Sequence, residues 1–304
     1  MDNLARVHYK TPMTAVSFEY FYQNLSHFLP KHRFTETYQY ALYPSGKLFR
    51  PQLFLKLLND FEIRHHSDHY FLASALEVHH TYTLLHDDLP CMDNDDYRRG
   101  KLSTHKKFGE WQAVLAGDGL LNFSYELLSQ MKASPIHKYL RIFSRYLGPQ
   151  GLILGQAMDL GEKQKSVAEY LKLHELKTAR LIQVSCLSAA VAGNLDFKKK
   201  WAMWSLGKDL GLLFQILDDL SDFTDNTMDS ANIFMTSSNE ILDYSINLLN
   251  QIENCMSKYS LEETKKYFGI YLSKTVNDLQ SKKLIEPVTL FLDLLNQRLR
   301  FFQR

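Results

Sequence analysis

Long stretches of this chain run without a single helix breaker. Residues 166–192, SVAEYLKLHELKTARLIQVSCLSAAVA, contain neither glycine nor proline, and neither do residues 239–267. The whole 304-residue chain holds only 13 glycines and 8 prolines. Within the second stretch Leu242, Ile246, Leu249 and Ile252 recur at three- and four-residue intervals, which places them on one face of a helix. No alternating pattern of useful length marks a strand. The sequence therefore predicts an all-α fold of ten or more helices, an antiparallel bundle around a central apolar cavity. Breaks are expected at Pro44-Ser45-Gly46, at Pro90, at Gly148-Pro149-Gln150-Gly151, at Gly193-Asn194 and over the polar residues 224–230. No low-complexity linker or fixed-period repeat divides the chain, so residues 1–304 are read as one domain.

Composition narrows the function. Hydrophobic residues make up 45% and charged residues 23%, enough apolar material for a large core. A formal net charge of +1 supplies no field for nucleic acid or an anionic membrane, so an anionic substrate must be held by local groups. Cys91, Cys186 and Cys255 match no zinc or redox spacing, and reduced thiols in a cytoplasm are the simplest reading. The first residues lack the apolar core of a signal peptide, and no run is long enough to span a membrane, so no stable membrane anchor is expected.

The chemistry is concentrated in two acidic clusters. Residues 84–101 read LLHDDLPCMDNDDYRRGK. Asp87 and Asp88 fall at the C-terminal end of an apolar, helix-compatible segment, where the helix macrodipole disfavours carboxylates. Asp93, Asp95 and Asp96 follow at once, and such crowding is costly unless a cation is present. Pro90 cannot continue the helix, so the chain should bulge and bring Asp93 back toward Asp87. Hard oxygen ligands suit Mg²⁺, which takes one or two carboxylates together with phosphate oxygens. Arg98 and Arg99 follow, and a guanidinium fork matches phosphate. The second cluster lies in residues 207–223, GKDLGLLFQILDDLSDF. Asp218 and Asp222 are four apart and share a helix face, while Asp219 points about 100° away. Acids at the end of an apolar helix need compensation, which a shared metal supplies. Two such helices can face each other and clamp a metal-bridged diphosphate between them.

Together these motifs resemble the trans-isoprenyl diphosphate synthases. DDLPCMD is similar to the family's first aspartate-rich motif in its longer form, and FQILDDLSD to the second with its context. The resemblance continues through Gly46-Lys47…Arg50-Pro51, GQAMDL at 155–160 and Lys177-Thr178. It implies Mg²⁺, three ions with substrate bound, with Asp87 and Asp93 as ligands, Asp88 in support, Asp218 as the main ligand of the second cluster and Asp222 behind it. Lys47, Arg50, His80 and Arg99 would hold isopentenyl diphosphate. Arg98 and Lys177 would hold the diphosphate of the allylic partner, dimethylallyl or geranyl diphosphate. Lys177, Thr178 and Gln215 would lie near the allylic cation. The family is typically homodimeric. Tyr82 and Thr83, five and four residues before Asp87, would set product length; a bulky Tyr82 with the two-residue insertion in the first motif is similar to bacterial-type farnesyl diphosphate synthases and implies a fifteen-carbon product. Other readings are a synthase of geranylgeranyl or another chain length, a diphosphate-binding regulatory subunit, and a class I terpene cyclase. One departure stands out: the family's lysine-bearing loop after the second motif is replaced by a shorter segment with no lysine or arginine between Asp222 and Lys258.

Overall fold

The computed structural model describes residues 18–161, 166–222, 233–280 and 286–303. The described chain is all-α, as the periodicity predicts. Its helices are α1 (Phe18–Gln23), α2 (Thr35–Leu42), α3 (Phe49–Asp60), α4 (Ser67–Asp87), α5 (Thr104–Phe108), α6 (Glu110–Ser129), α7 (Ile136–Leu147), α8 (Leu152–Gly161), α9 (Val167–His174), α10 (Arg180–Ala192), α11 (Phe197–Asp222), α12 (Phe234–Lys258), α13 (Glu262–Gln280) and α14 (Glu286–Gln303). A π-helical turn, Glu175–Ala179, joins α9 to α10. A two-residue pair of strands, β1 (Tyr97–Arg98) and β2 (Lys101–Leu102), is the sole sheet among the described residues. The breaks predicted at residues 44–46, 90, 148–151 and 193–194 all fall between helices. Residues 224–230 lie outside the described residues, as does all of 223–232, the first part of the lysine-free stretch.

The chain groups into two compact units, Met1–Gln52 with Arg64–Ile136, and Leu53–Ile63 with His137–Arg304. In the first unit α4 packs on α6. The buried face of α6 carries Ala113, Ala116, Gly117, Leu120, Phe123, Ser124, Leu127 and Leu128, a helical stripe whose small members let α4 approach closely. Asp68 in the first turn of α4 is buried, and its Oδ2 accepts three backbone N–H bonds, from Lys132 (3.1 Å), Ala133 (2.8 Å) and Ser134 (2.8 Å). Those bonds outweigh desolvation and hold its carboxyl below the usual range.

In the second unit α10 lies along α11, and α11 along α12. Close packing around the π turn depends on small residues. A Cβ on Gly155 of α8 would sit 2.7 Å from the Leu176 carbonyl carbon and 2.7 Å from the Lys177 Cα, and one on Gly211 of α11 would sit 2.5 Å from Ala179. The turn is thus wedged between two helices, and backbone lies against backbone on both sides. Asp60 at the end of α3 accepts N–H bonds from Glu263 (2.7 Å) and Thr264 (3.0 Å), which serves the open donors of α13. Among the described residues no helix is long and apolar enough to cross a membrane.

Candidate active site

Helix α4 delivers the first acidic cluster. It runs from Ser67 to Asp87 and stops where Pro90 makes further helix impossible. Turns at Leu89, Met92 and Asn94 then fold the chain back, and the Asp93 N–H donates to the Asp87 carbonyl at 2.9 Å. The bulge expected from the proline is present, and it sets the backbones of Asp87 and Asp93 side by side. Asp88 has another role: it is buried, and its Oδ1 accepts from Arg98 Nε (2.8 Å) and Nη2 (2.5 Å). Arg98 Nη2 also meets Asp95 at 2.5 Å. Burial pushes the Asp88 carboxyl up more than Arg98 pulls it down, while the hydrogen bond and charge of Asp88 hold the Arg98 guanidinium above its ordinary range against burial.

A tight hairpin places the two arginines. Tyr97 pairs with Leu102 and Arg98 with Lys101. The two connecting residues, Arg99 (φ 54°) and Gly100 (φ 76°), are both left-handed, as a type I′ turn demands. Arg99 accepts a backbone strain of about 1–3 kcal/mol, of the kind found at functional sites. Its side chain packs over Gly46, where an added Cβ would lie 2.8 Å from the guanidinium carbon. Its Nη2 lies 3.4 Å from Glu77 Oε1, a carboxyl that is 1% exposed. Burial raises the Glu77 pKa, and Arg99 and then Arg50 oppose it. His80, one turn on from Glu77, is held well below the ordinary histidine range by burial and then by Arg50, Arg99 and Arg98. Arg50, Arg98 and Arg99 therefore gather around His80, which burial and their charge hold neutral, with exposed Lys47 near them in sequence. Lys101 donates to the Tyr40 carbonyl and, at 2.6 Å, to that of Tyr43, tying down the hairpin.

Below Asp87 on α4, Tyr82 is 3% exposed and edges onto the rings of His79 (4.7 Å) and His86 (5.8 Å). Its hydroxyl is buried with no hydrogen-bond partner among the described residues. Thr83 spends its hydroxyl on the His80 carbonyl at 2.8 Å.

The second unit positions the remaining residues. Lys177 and Thr178 lie in the π turn, a deviation from α geometry common at functional sites. Lys177 pairs with Asp159 of the GQAMDL segment on α8. The Thr178 hydroxyl donates to Gln215 Oε1 at 2.7 Å, Gln215 Nε2 donates to Asp219 Oδ1 at 2.7 Å, and the Tyr170 hydroxyl donates to Asp219 Oδ2. Asp218 is exposed at the end of α11, turned from Asp219 as the helix repeat requires. The side chain of Asp222 lies outside the described residues.

Among the described residues no three His, Cys, Asp or Glu side chains are arranged to hold a metal by themselves. Asp88 and Asp219 accept from protein donors, and the carboxylates of the Asp87–Asp93 turn are the hard oxygen donors that Mg²⁺ takes together with phosphate oxygens.

A family model, polyprenyl synthetase, matches residues 31–263, and the chain belongs to that family. A farnesyl diphosphate synthase of Micrococcus luteus is 34% identical over 260 residues, covering 84% of each chain. One from Geobacillus stearothermophilus is 38% identical over 190 residues, 60% of this chain and 64% of that one. Among solved structures, a geranyltransferase from Helicobacter pylori complexed with magnesium and isoprenyl diphosphate is 30% identical, with a TM-score of 0.71 over 87% of this chain and 93% of that one.

Sequence reasoning missed Glu77, Tyr170 and Asp159 as partners of the motif residues. Glu77 sits in a segment that reads as apolar, and its partner Arg99 is 22 residues away. Tyr170 stands outside every motif and carries no local signal.

Proposed function

We propose that the chain condenses isopentenyl diphosphate head-to-tail with dimethylallyl and then geranyl diphosphate, giving farnesyl diphosphate and diphosphate. The observation that carries this reading is the pair Arg50 and Arg99 around neutral His80, a second set of cations besides Arg98 at the Asp87–Asp93 bulge. One diphosphate needs only a metal site and a cation or two; a separate cluster of cations is warranted by a second diphosphate. The names of the relatives support the same reaction.

Magnesium, when bound with the allylic substrate, neutralises its diphosphate and makes it a leaving group. Asp87, Asp93 and Asp218 would hold the ions, three in number, with Asp88 and Asp222 in support. Arg98 and Lys177 add positive charge for the departing oxygens. The allylic C1–O bond breaks with its electron pair leaving on the diphosphate. Thr178 and Gln215 offer oxygen lone pairs to the cation so formed. Lys47, Arg50, His80 and Arg99 anchor isopentenyl diphosphate, whose double bond forms the new C–C bond to C1, and loss of a proton restores an alkene. Apolar surroundings keep water from the cation. Tyr82 with Thr83 stops the growing tail at fifteen carbons. The protein acts as one domain, in the cytoplasm, as a homodimer.

The test is incubation with Mg²⁺, isopentenyl diphosphate and either allylic diphosphate, followed by product chromatography. Farnesyl diphosphate is the expected product. Mg²⁺-dependent substrate binding without product would make the chain a binding subunit, and a cyclic hydrocarbon from one substrate would make it a cyclase.

A further inference from the structure

Four side chains in the second unit form a hydrogen-bonded chain whose polarity is fixed from one end. Tyr170 on α9 is 4% exposed, and its ring lies against His174 at 4.3 Å. Its hydroxyl donates to Asp219 Oδ2, while Gln215 Nε2 donates to Oδ1 at 2.7 Å. A carboxylate only accepts, so neither partner can reverse its role. Gln215 must then turn its NH₂ toward Asp219 and its carbonyl oxygen toward Thr178. That oxygen accepts the Thr178 hydroxyl proton at 2.7 Å. A hydroxyl has one proton and two lone pairs, so Thr178 is left with lone pairs as its remaining polar capacity. This is the polarity suited to a neighbouring carbocation; a chain running the other way would offer it a proton.

We propose that Tyr170 is a positioning residue that, by pinning Asp219, locks the Gln215 amide and commits the Thr178 hydroxyl to an acceptor face toward the reacting cation. The inference rests on the reading of the reaction given above. Asp219 turns about a soft terminal torsion, and a second donor on its far oxygen is what stops it from swinging away from Gln215. The phenol suits this role. Burial, followed by the charge of Asp219, keeps it protonated far above the usual tyrosine range, so it remains a donor at every working pH.

The test uses the full chain with isopentenyl and geranyl diphosphates. Tyr170→Phe is expected to lower kcat by about tenfold or more, as loss of orientation does, and to leave both KM values within about twofold. In a Thr178→Val background the same change should do nothing further. Independent, multiplying losses, a loss confined to KM, or an unchanged kcat would each overturn the proposal. If Tyr170→Phe does not fold, 3-fluorotyrosine at position 170 keeps the shape while strengthening the donor; kcat must then respond, and must cease to respond in the Thr178→Val background. A wild type that elongates nothing would sink the functional reading and leave the chain to be judged by NMR. There the Tyr170 hydroxyl proton should appear as a slowly exchanging downfield resonance that moves in Gln215→Leu. A resonance indifferent to Gln215→Leu would refute the linkage.

Discussion

Two substitutions at Tyr82 separate what its ring does from what its hydroxyl does. The side chain is 3% exposed, and its hydroxyl is buried without a partner among the described residues. An unpaired buried hydroxyl costs about 1–3 kcal/mol. Tyr82→Phe removes that cost and keeps the ring, so it should raise the melting temperature by roughly 2–12 °C, at about 2–4 °C per kcal/mol as for domains of about 150–250 residues. Product length should not change. Tyr82→Ala removes the ring, and large-to-small changes of this kind cost about 3–5 kcal/mol, so the melt should fall by roughly 6–20 °C. Position 82 lies five residues before Asp87 on α4, about 7.5 Å along the axis, which is beneath the acidic cluster on the same rod. The vacated space should admit a longer tail, and products beyond fifteen carbons should appear on reversed-phase chromatography. The assay is run below the lowered melt. A drop in stability for Tyr82→Phe would mean the hydroxyl is paired after all. Products no longer than wild type from a folded Tyr82→Ala would show that the ring belongs to the core and not to the floor of the channel.

Other expectations follow from named contacts. Gly46→Ala puts a methyl 2.8 Å from the Arg99 guanidinium carbon, the movable end of a side chain. Stability should change by less than about 1 kcal/mol, while the KM for isopentenyl diphosphate rises several-fold; an unchanged KM would dissociate Arg99 from that substrate. Gly155→Ala instead meets backbone at Leu176 and Lys177, which cannot move aside. It should cost about 1–3 kcal/mol and lower kcat, and a normal melt with full activity would contradict the wedge. Burial holds His69 and His79 down at about 3. A folded pKa below the unfolded value gives stability that is present above about pH 6.5 and lost as pH falls. Each should cost on the order of 1 kcal/mol between pH 6.5 and 5.5, and chemical denaturation at the two pH values would refute this if the midpoints coincide.

The sequence is informative where geometry is local and silent where it is not. Pro90 within an acidic run is enough to predict that Asp93 returns to Asp87, because a proline acts on its own neighbours. The helix repeat is enough to separate Asp218 from Asp219. It cannot reveal that Asp88 is bound by Arg98 or that Gln215 Oε1 accepts from Thr178, since those partners depend on how a hairpin and a π turn are folded. Glu77 is invisible because one carboxylate in an apolar helix has no periodic signature, and Arg99 reaches it only through a left-handed turn. The segment 166–192 reads as uninterrupted helix by composition, and nothing in ELKTA distinguishes a π turn from an α turn.

That turn has a genetic consequence. A π turn is an α-helix carrying one surplus residue, so α9 and α10 are out of phase by one position, and Lys177 and Thr178 owe their outlook to that offset. Deleting a single codon within Glu175–Ala179 would restore an ordinary rod and rotate everything on one side of it by about 100°. Point substitutions sample the chemistry of this pair, but only an insertion or deletion can reset its direction. This stretch of the gene should therefore tolerate changes of letter far better than changes of length.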